Sequence, residues 1–252
     1  EDNQEVCPKC DHHFRIDAQT RLKLLFDDGQ FEVHETGMSS TDPLKFVDAK
    51  PYLERLAGMQ ASGLRDAVIS ASGKLDGRPV NICALELKFI GGSMGSVMGE
   101  KITRAIERSL ACKTPLIVVS ASGGARMQEG AVSLMQLAKI SGALMLLDEA
   151  KIPFISVLTD PTMGGVSASF AFMGDVVMSE PNSLIGFAGP RVIEQTVREQ
   201  LPEGFQRAES LLLKGAIHMI VDRRKIREEI ARWMALLLRP AGAVVTCFPS
   251  VP

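Results

Sequence analysis

Two segments of the chain share one pattern, a short apolar run of β-branched residues followed by a glycine pair and a helical pattern. Residues 115–130 read PLIVVSASGGARMQEG, and residues 152–170 read IPFISVLTDPTMGGVSASF. A glycine pair at a strand–helix junction permits positive φ angles and leaves backbone N–H groups uncovered, and such groups stabilise a negatively charged oxygen. The doubled unit therefore predicts a carbonyl substrate whose oxygen becomes anionic during the reaction.

The rest of the chain alternates between strand and helix patterns. Strand patterns at 115–119, 152–158, 175–179 and 183–187 occur with helical patterns at 97–112, 128–149, 165–173, 190–200 and 223–238. The last two strand patterns are separated by Pro181-Asn182. The dipeptide Asp76-Gly77 marks a hairpin between two strand patterns. This alternation is typical of a layered α/β fold with mainly parallel strands.

Changes in composition divide the chain into four predicted regions. They are a partial zinc ribbon at 1–16, a helical segment at 17–65, an α/β core at 66–238 and a disordered tail at 239–252. The most apolar long stretch, 140–158, contains Asp148, Glu149 and Lys151. A membrane span is therefore not expected.

Charge and cysteine content restrict the partners and the compartment. The formal net charge is −2, which gives no overall attraction to nucleic acid or to an anionic membrane. The five cysteines are an odd number, and this disfavours a disulfide framework and favours a reducing, cytoplasmic setting.

The first glycine turn, SASGGAR, offers a candidate pocket for a bound substrate. Ser122, Gly123 and Gly124 are small, and Arg126 supplies a cation for a phosphate or a carboxylate. The alternative is a purely structural turn between strand and helix. Both Gly-Gly turns lack histidine and cysteine, so a base would have to come from a cofactor or from the substrate.

A third glycine cluster, GGSMG at 91–95, matches the nucleophile-elbow pattern G-x-S-x-G. A serine hydrolase would need His218 as its base, and that residue lies in an apolar run. The alternative is that Gly91 and Gly92 admit a ligand or a partner backbone.

The CPKC knuckle is half of a zinc site. Cys7 and Cys10 have the spacing of one pair in a four-cysteine zinc ribbon. We expect the second pair upstream of Glu1, because the other cysteines lie far off and His12 and His13 are too close in sequence. A redox CxxC is disfavoured, since no thioredoxin-like βαβ pattern surrounds it.

Longer motifs carry a resemblance to a known family. The chain resembles the carboxyltransferase β subunits of bacterial-type and plastid acetyl-CoA carboxylases in CPKCDHHFRI, GGSMGSVMGEKITRAIE, SASGGARMQEG, ISVLTDPTMGGVSASFAFMGD, LIGFAGPRVIEQTVRE and LPEGFQRAE. The resemblance runs from about residue 5 to about residue 238 and implies a crotonase-like (ClpP/crotonase) ββα superhelix preceded by a structural zinc ribbon.

The resemblance also implies an activity and partners. The family transfers carboxylate from carboxybiotin, held on a biotin carboxyl carrier protein, to acetyl-CoA, and the product is malonyl-CoA. This is the first committed step of fatty acid synthesis. The family works as an α2β2 heterotetramer with the carboxyltransferase α subunit, in the cytoplasm or the plastid stroma.

The implied site follows the glycine turns. Gly164 and Gly165 match the family's oxyanion-forming pair, and Gly123 and Gly124 match glycines of the acyl-CoA pocket; Ser122, Arg126, Gly91 and Gly92 are assigned to the same pocket. Cys7 and Cys10 match the second zinc pair, and a second oxyanion site is expected from the α subunit. Two alternatives remain: another crotonase-type acyl-CoA enzyme, such as a decarboxylase or a propionyl-CoA carboxyltransferase, and a zinc-ribbon nucleic-acid binder.

Overall fold

An eight-stranded mixed sheet organises the computed structural model, which describes residues 3–238. Its strands are β1 Phe31–His34, β2 Val68–Leu75, β3 Arg78–Leu85, β4 Leu116–Ser122, β5 Phe154–Met163, β6 Val176–Ser179, β7 Ile185–Gly186 and β8 Met219–Ile220. The spatial order is β1-β2-β3-β4-β5-β6-β8, with β7 beside the end of β5. The pairs β1–β2 and β2–β3 are antiparallel and the others are parallel, which confirms the predicted layered α/β fold.

Helices cover both faces of this sheet. They are α1 Ala18–Leu25, α2 Tyr52–Ala61, α3 Ser96–Cys112, α4 Ala131–Glu149, α5 Gly164–Ser167, α6 Pro190–Val197, α7 Ala208–Leu213 and α8 Arg223–Leu237. One apolar cluster joins α2, α3 and α4 to the sheet, and a second joins α1 and α8 to its other face. Parallel strands buried on both faces explain why the runs in β4 and β5 are continuously apolar rather than alternating.

The hairpin predicted at Asp76-Gly77 is present. Asp76 and Gly77 have φ angles of 52° and 72°, as a two-residue type I′ turn requires. The turn fixes the antiparallel register, in which Leu75 faces Arg78 and Val68 faces Leu85.

Two expectations for the second glycine unit are wrong. The strand predicted at 152–158 does not end there, because β5 continues through Pro161 to Met163. The helix expected at 165–173 is reduced to the single turn α5. The Ser169 hydroxyl donates to the Gly165 carbonyl at 2.6 Å, and serine side chains that bond nearby carbonyls compete with helix continuation.

The segment 17–65, predicted to be helical, is helical only in part. It contains β1, which extends the main sheet, and α1, whose Leu22 is fully buried in the core. The tail predicted at 239–252 lies outside the described residues.

Helix α4 has an unusual surface for a helix of its length. Its 19 residues are long and apolar enough to cross a membrane by composition alone, and only 28% of the apolar window is buried. Ile140 and Leu147 face the core, whereas Leu134, Met135, Met145 and Leu146 are each more than half exposed. An exposed apolar stripe of this size marks an interaction surface.

Candidate functional site

The two Gly-Gly turns meet at the carboxyl ends of the neighbouring strands β4 and β5. A Cβ placed on Gly124 would lie 3.1 Å from the Gly164 Cα, and one placed on Gly164 would lie 3.0 Å from the Gly124 Cα. Gly124 and Gly164 also have positive φ angles of 121° and 58°. Both positions therefore require glycine, because side chains would collide and would be strained.

The third glycine pair joins the same patch. The Gly123 N–H donates to the Gly91 carbonyl at 2.8 Å. Gly92, with a φ of 65°, lies against the Ala121 carbonyl so closely that a Cβ would overlap it. The structure thus brings the pairs 91–92, 123–124 and 164–165 together, although they span more than 70 positions of sequence.

Most backbone donors in this patch are already bonded. The Gly124 N–H donates to the Ser122 hydroxyl at 3.0 Å, and the Gly164 N–H donates to the Phe187 carbonyl at 3.1 Å. The Gly165 N–H is different: as the second residue of α5 it has no carbonyl four residues back within the helix. No described residue outside α5 accepts it, so it is the unbonded donor of this glycine pair.

Ala125 adds a neighbour that the sequence did not indicate. A Cβ on Gly165 would lie 3.2 Å from the Ala125 Cβ and 3.5 Å from its backbone nitrogen. Among the described residues, no acceptor bonds the Ala125 N–H. No residue-type pattern marks this alanine, because only the packing of the two turns places it there.

Arg126 does not face a ligand, contrary to the sequence prediction. Its side chain is fully buried, and Nη1 lies 2.7 Å from the Ser40 hydroxyl, 3.1 Å from Glu129 Oε1 and 3.3 Å from Asp66 Oδ2. Nη2 donates to the Ser93 carbonyl at 2.6 Å. A guanidinium enclosed in this way cannot reach a bound phosphate, so its role is to join segments of the chain.

Glu129 is the anionic counterpart of Arg126. Burial alone would raise the pKa of this carboxyl, but the Ser96 N–H, which donates to Oε2 at 2.7 Å, and the Arg126 guanidinium outweigh it and lower the pKa below its usual range. Burial raises the pKa of Tyr52, whose hydroxyl donates to Oε1 at 2.8 Å, to about 12. Glu129 is therefore a charged anchor for the N-terminus of α3 and not a proton acceptor for substrate.

A serine nucleophile is not assembled. The Ser93 hydroxyl donates to the Ile90 carbonyl at 2.8 Å, and it accepts from Arg126 Nε at 3.2 Å. His218 Nδ1 accepts the Val177 N–H at 2.9 Å at the far side of β6. The two side chains share no hydrogen bond among residues 3–238, so the G-x-S-x-G match serves close packing.

The remaining acidic group near the turns is also engaged. Asp160 Oδ2 accepts from Arg15 at 2.9 Å and 3.1 Å, and Oδ1 accepts the Leu184 N–H at 3.0 Å. Neither this carboxylate nor Glu129 is free to take a proton from a substrate carbon. The backbone N–H groups of the turns can therefore stabilise a negative oxygen, and these two carboxylates are placed as structural anchors.

The CPKC knuckle is the half-site for zinc that the sequence predicts. Cys7 and Cys10 lie in a tight loop in which the Asp11 N–H donates to the Cys7 carbonyl at 2.9 Å. Backbone N–H groups of Lys9 and Cys10 lower the pKa of the Cys7 thiol. His13 is turned away, with Nε2 accepting the Arg223 N–H at 3.1 Å, and within the described part of the chain no three candidate ligands come together.

Comparisons with known sequences identify the family of this chain. Residues 20–239 match the sequence model of the family described as carboxyl transferase domain. The acetyl-coenzyme A carboxylase carboxyl transferase subunit beta of Citrifermentans bemidjiense is 55% identical over 95% of this chain and 86% of its own length. The protein of the same name from Pelobacter propionicus is 54% identical over 95% of this chain and 85% of its own length.

Solved structures show the same fold. The transcarboxylase 12S chain with hydrolysed methylmalonyl-coenzyme A bound has a TM-score of 0.73 at 26% identity, and the match covers 87% of this chain but 41% of that one. A chain of a Pseudomonas malonate decarboxylase hetero-tetramer in complex with malonate has a TM-score of 0.68 at 27% identity, covering 88% of this chain and 82% of that one.

Proposed function

Because the chain belongs to the carboxyl transferase domain family, we propose that it is the carboxyltransferase β subunit of an acetyl-CoA carboxylase, which converts acetyl-CoA to malonyl-CoA with carboxyl groups delivered by carboxybiotin. The observation that carries the proposal is the contact between the Gly123–Gly124 and Gly164–Gly165 turns. In the proposed site the Gly165 N–H is the oxyanion donor. It lies beside a backbone contact that leaves no room for a side chain at Gly124 or Gly164.

The chain contributes electrostatic stabilisation. In the proposed site the thioester oxygen of acetyl-CoA accepts the Gly165 N–H, with the Ala125 N–H beside it. Negative charge grows on this oxygen as the α-carbon loses its proton. A preorganised donor of this kind lowers a barrier by roughly 2.7–4 kcal/mol.

Carboxybiotin, carried on its own protein, supplies the carboxyl group and, once CO₂ has left, the base. Because biotin supplies the base, neither Glu129 nor Asp160 is needed for proton transfer. Both carboxylates can therefore be bonded to other residues of the chain. The residues of this chain hold the thioester, exclude water and stabilise the enolate oxygen.

A second carboxyltransferase chain fits the exposed stripe on α4. Leu134, Met135, Met145 and Leu146 flank the small residues Ala138 and Gly142, so a partner helix can approach closely along this face. The described residues of α6 include no buried side chain, and Phe187 just before it is 69% exposed. We assign both surfaces to the α subunit, which would also supply the oxyanion site for biotin.

Zinc fits the knuckle only in part. Cys7 and Cys10 would supply two thiolates, and two further ligands would have to come from residues other than those described. In this proposal the metal is structural and takes no part in the reaction.

The direct test is a carboxyltransferase assay of the chain with and without an α subunit. We expect malonyl-CoA formation from acetyl-CoA only when both chains are present, and slower turnover of propionyl-CoA. Activity of the isolated chain, or a preference for propionyl-CoA, would instead support another crotonase-type enzyme.

The oxyanion assignment is tested by Gly165→Val. A valine would press on Ala125 and cover the N–H, so we expect kcat to fall at least 100-fold, as it does for the loss of one oxyanion donor. The matched control is Gly58→Val on α2, where nothing lies within 4 Å of an added Cβ. Unchanged turnover of an assembled Gly165→Val enzyme would refute the assignment.

A further inference from the structure

A cavity of about 180 Å³ lies on the opposite face of the sheet from α3 and α4, between α1 and α8. Val119 and Val157 of the sheet line its apolar side. Arg21 of α1 and Arg223, Arg224 and Arg227 of α8 line the other side, with Glu228 as the acidic residue of the wall. No step of the proposed reaction uses this cavity.

The buried part of the lining carries more positive than negative charge. Arg21, Arg223 and Glu180 form one cluster in which each side chain is more than nine-tenths buried. Arg223 binds both oxygens of Glu180, with Nε and Nη2 each at 2.8 Å. Two guanidinium groups thus share one carboxylate, and an uncompensated buried cation is costly unless an anion joins it.

Arg21 holds the unused donors. Its Nη1 donates to Glu180 Oε1 at 2.6 Å. Its Nε and Nη2 donate no hydrogen bond to any described residue. Neither nitrogen is among the polar atoms that are both unbonded and shut off from solvent. The guanidinium is therefore held by one edge against Glu180, with its other donors open to the cavity that it lines.

The two outer arginines are in a different state. Arg227 donates to Asp27 Oδ1 at 2.7 Å, and Arg224 is bonded to Asp222 and Asp11. These two arginines are bonded to three carboxylates and Glu228 adds a fourth, so the mouth of the cavity is net negative, whereas the excess of positive charge stays at the floor. A ligand would be recognised there by Arg21.

We propose that this cavity binds a small tetrahedral oxyanion, a phosphate group in its common biological form, on the free edge of Arg21. The fork of N–H groups in a guanidinium matches phosphate oxygens, and the anion would balance the charge of the cluster. The site adjoins the strand ends that carry the glycine turns, since Arg21, Glu180 and Arg223 also line a small cleft with Ala121 and Thr159.

The test is urea unfolding of the full chain in sodium phosphate and in sodium chloride at equal ionic strength. At phosphate concentrations ten times the dissociation constant, the unfolding equilibrium constant should fall about elevenfold. Arg21→Met should lose this stabilisation by phosphate. It should keep the fold, because Arg223 still neutralises Glu180. Arg232→Met removes an exposed charge from α8, the helix that carries Arg223, and should keep the stabilisation by phosphate.

Phosphate also stabilises proteins non-specifically. The test of a specific site is therefore the difference in stabilisation by phosphate between the unaltered chain and the variants. If phosphate stabilises the Arg21→Met variant against urea as much as it stabilises the unaltered chain, the bound phosphate is an adventitious ion only and the proposal fails. Arg227→Met, at the mouth of the cavity, provides a second variant and should weaken phosphate binding without abolishing it.

A final comparison separates two sources of the phosphate. If the Arg21→Met enzyme has a raised KM for acetyl-CoA with unchanged kcat, the anion is a phosphate of the coenzyme. If KM is unchanged while phosphate stabilisation is lost, the ligand is a separate phosphate-bearing metabolite. The stabilisation experiment needs no catalytic activity, so its result is independent of the proposed function.

Discussion

At the scale of single residues, Arg126 shows how a side chain next to a reactive turn can be entirely structural. It follows Gly124 by two positions, yet it bonds residues from three distant segments: Ser40, Asp66 and Ser93. Its guanidinium also lies 5.0 Å from the centre of the Phe89 ring. Through these contacts it fixes the 91–95 loop against the turn that follows β4.

Replacing this arginine should therefore be severe. Arg126→Met would leave Asp66 and Glu129 buried without their cation, and we expect a loss of about 3–5 kcal/mol in the free energy of unfolding. Chemical denaturation measures this. Arg104→Met, which removes an exposed ion pair with Glu100, should change the free energy of unfolding far less, and equal losses for the two variants would contradict the structural role of Arg126.

Glu180 gives the fold a defined sensitivity to acid. Burial alone would raise its pKa, but Arg21 and Arg223 outweigh this and lower the pKa to about 2 from the ordinary 4.5. Since the folded-state pKa is depressed, the stabilisation is fully present above pH 4.5 and is lost as the pH falls towards 2.

Unfolding measured from pH 7 down to pH 2 tests this. Glu180→Gln should be less stable than the unaltered chain at pH 7, because two buried guanidinium groups lose their anion. The gap between the two stabilities should narrow below pH 4.5. A gap that stays constant over the whole range would show that Glu180 does not titrate as described.

At the scale of elements, the site depends on two strand–helix turns that touch through backbone atoms. The parallel pairing of β4 and β5 places their carboxyl ends side by side, and the Gly124 and Gly164 Cα atoms meet there. Short α5 begins directly at this contact, so its first N–H groups are fixed relative to the neighbouring turn.

Gly124→Ala should damage this contact. The residue has a φ of 121°, and the new Cβ would lie 3.1 Å from the Gly164 Cα, so we expect about 1–3 kcal/mol of destabilisation and a fall in kcat. Gly63→Ala is the matched control, because Gly63 has a φ of 87° with nothing within 4 Å. If both variants lose the same stability and keep full activity, the contact between the turns is not needed.

At the scale of the whole molecule, the exposed stripe on α4 indicates that this chain is one part of an assembly. The apolar side chains on that face are each more than half exposed in the described part of the chain, although the opposite side of the helix packs on α3. A chain that acts alone would gain nothing from keeping this surface apolar.

The double variant Met135→Lys, Leu146→Ser tests the surface. Both side chains are more than half exposed, so each substitution should change the free energy of unfolding by less than about 0.5 kcal/mol. Co-purification with an α subunit and carboxyltransferase activity should be lost. Leu213→Ser, at a position 90% exposed on α7, should leave assembly intact. Normal assembly of the double variant would place the interface elsewhere.

The sequence by itself determined the alternation of strands and helices in the α/β core, the hairpin at Asp76-Gly77 and the positions of the glycine turns. These features depend on local physics, since hydrophobic periodicity and the freedom of glycine at positive φ act within a few residues. The long motifs also indicated the family of the chain, and the comparisons with known sequences confirmed it.

Only the tertiary structure decided which side chains face the site. Arg126 looked available because its position next to a turn is a local property, but its partners lie 60 and 86 positions away in the chain. The same holds for the free donor of Gly165, the neighbouring Ala125 and the open edge of Arg21. Burial and hydrogen-bond partners are set by segments distant in sequence, and no local pattern encodes them.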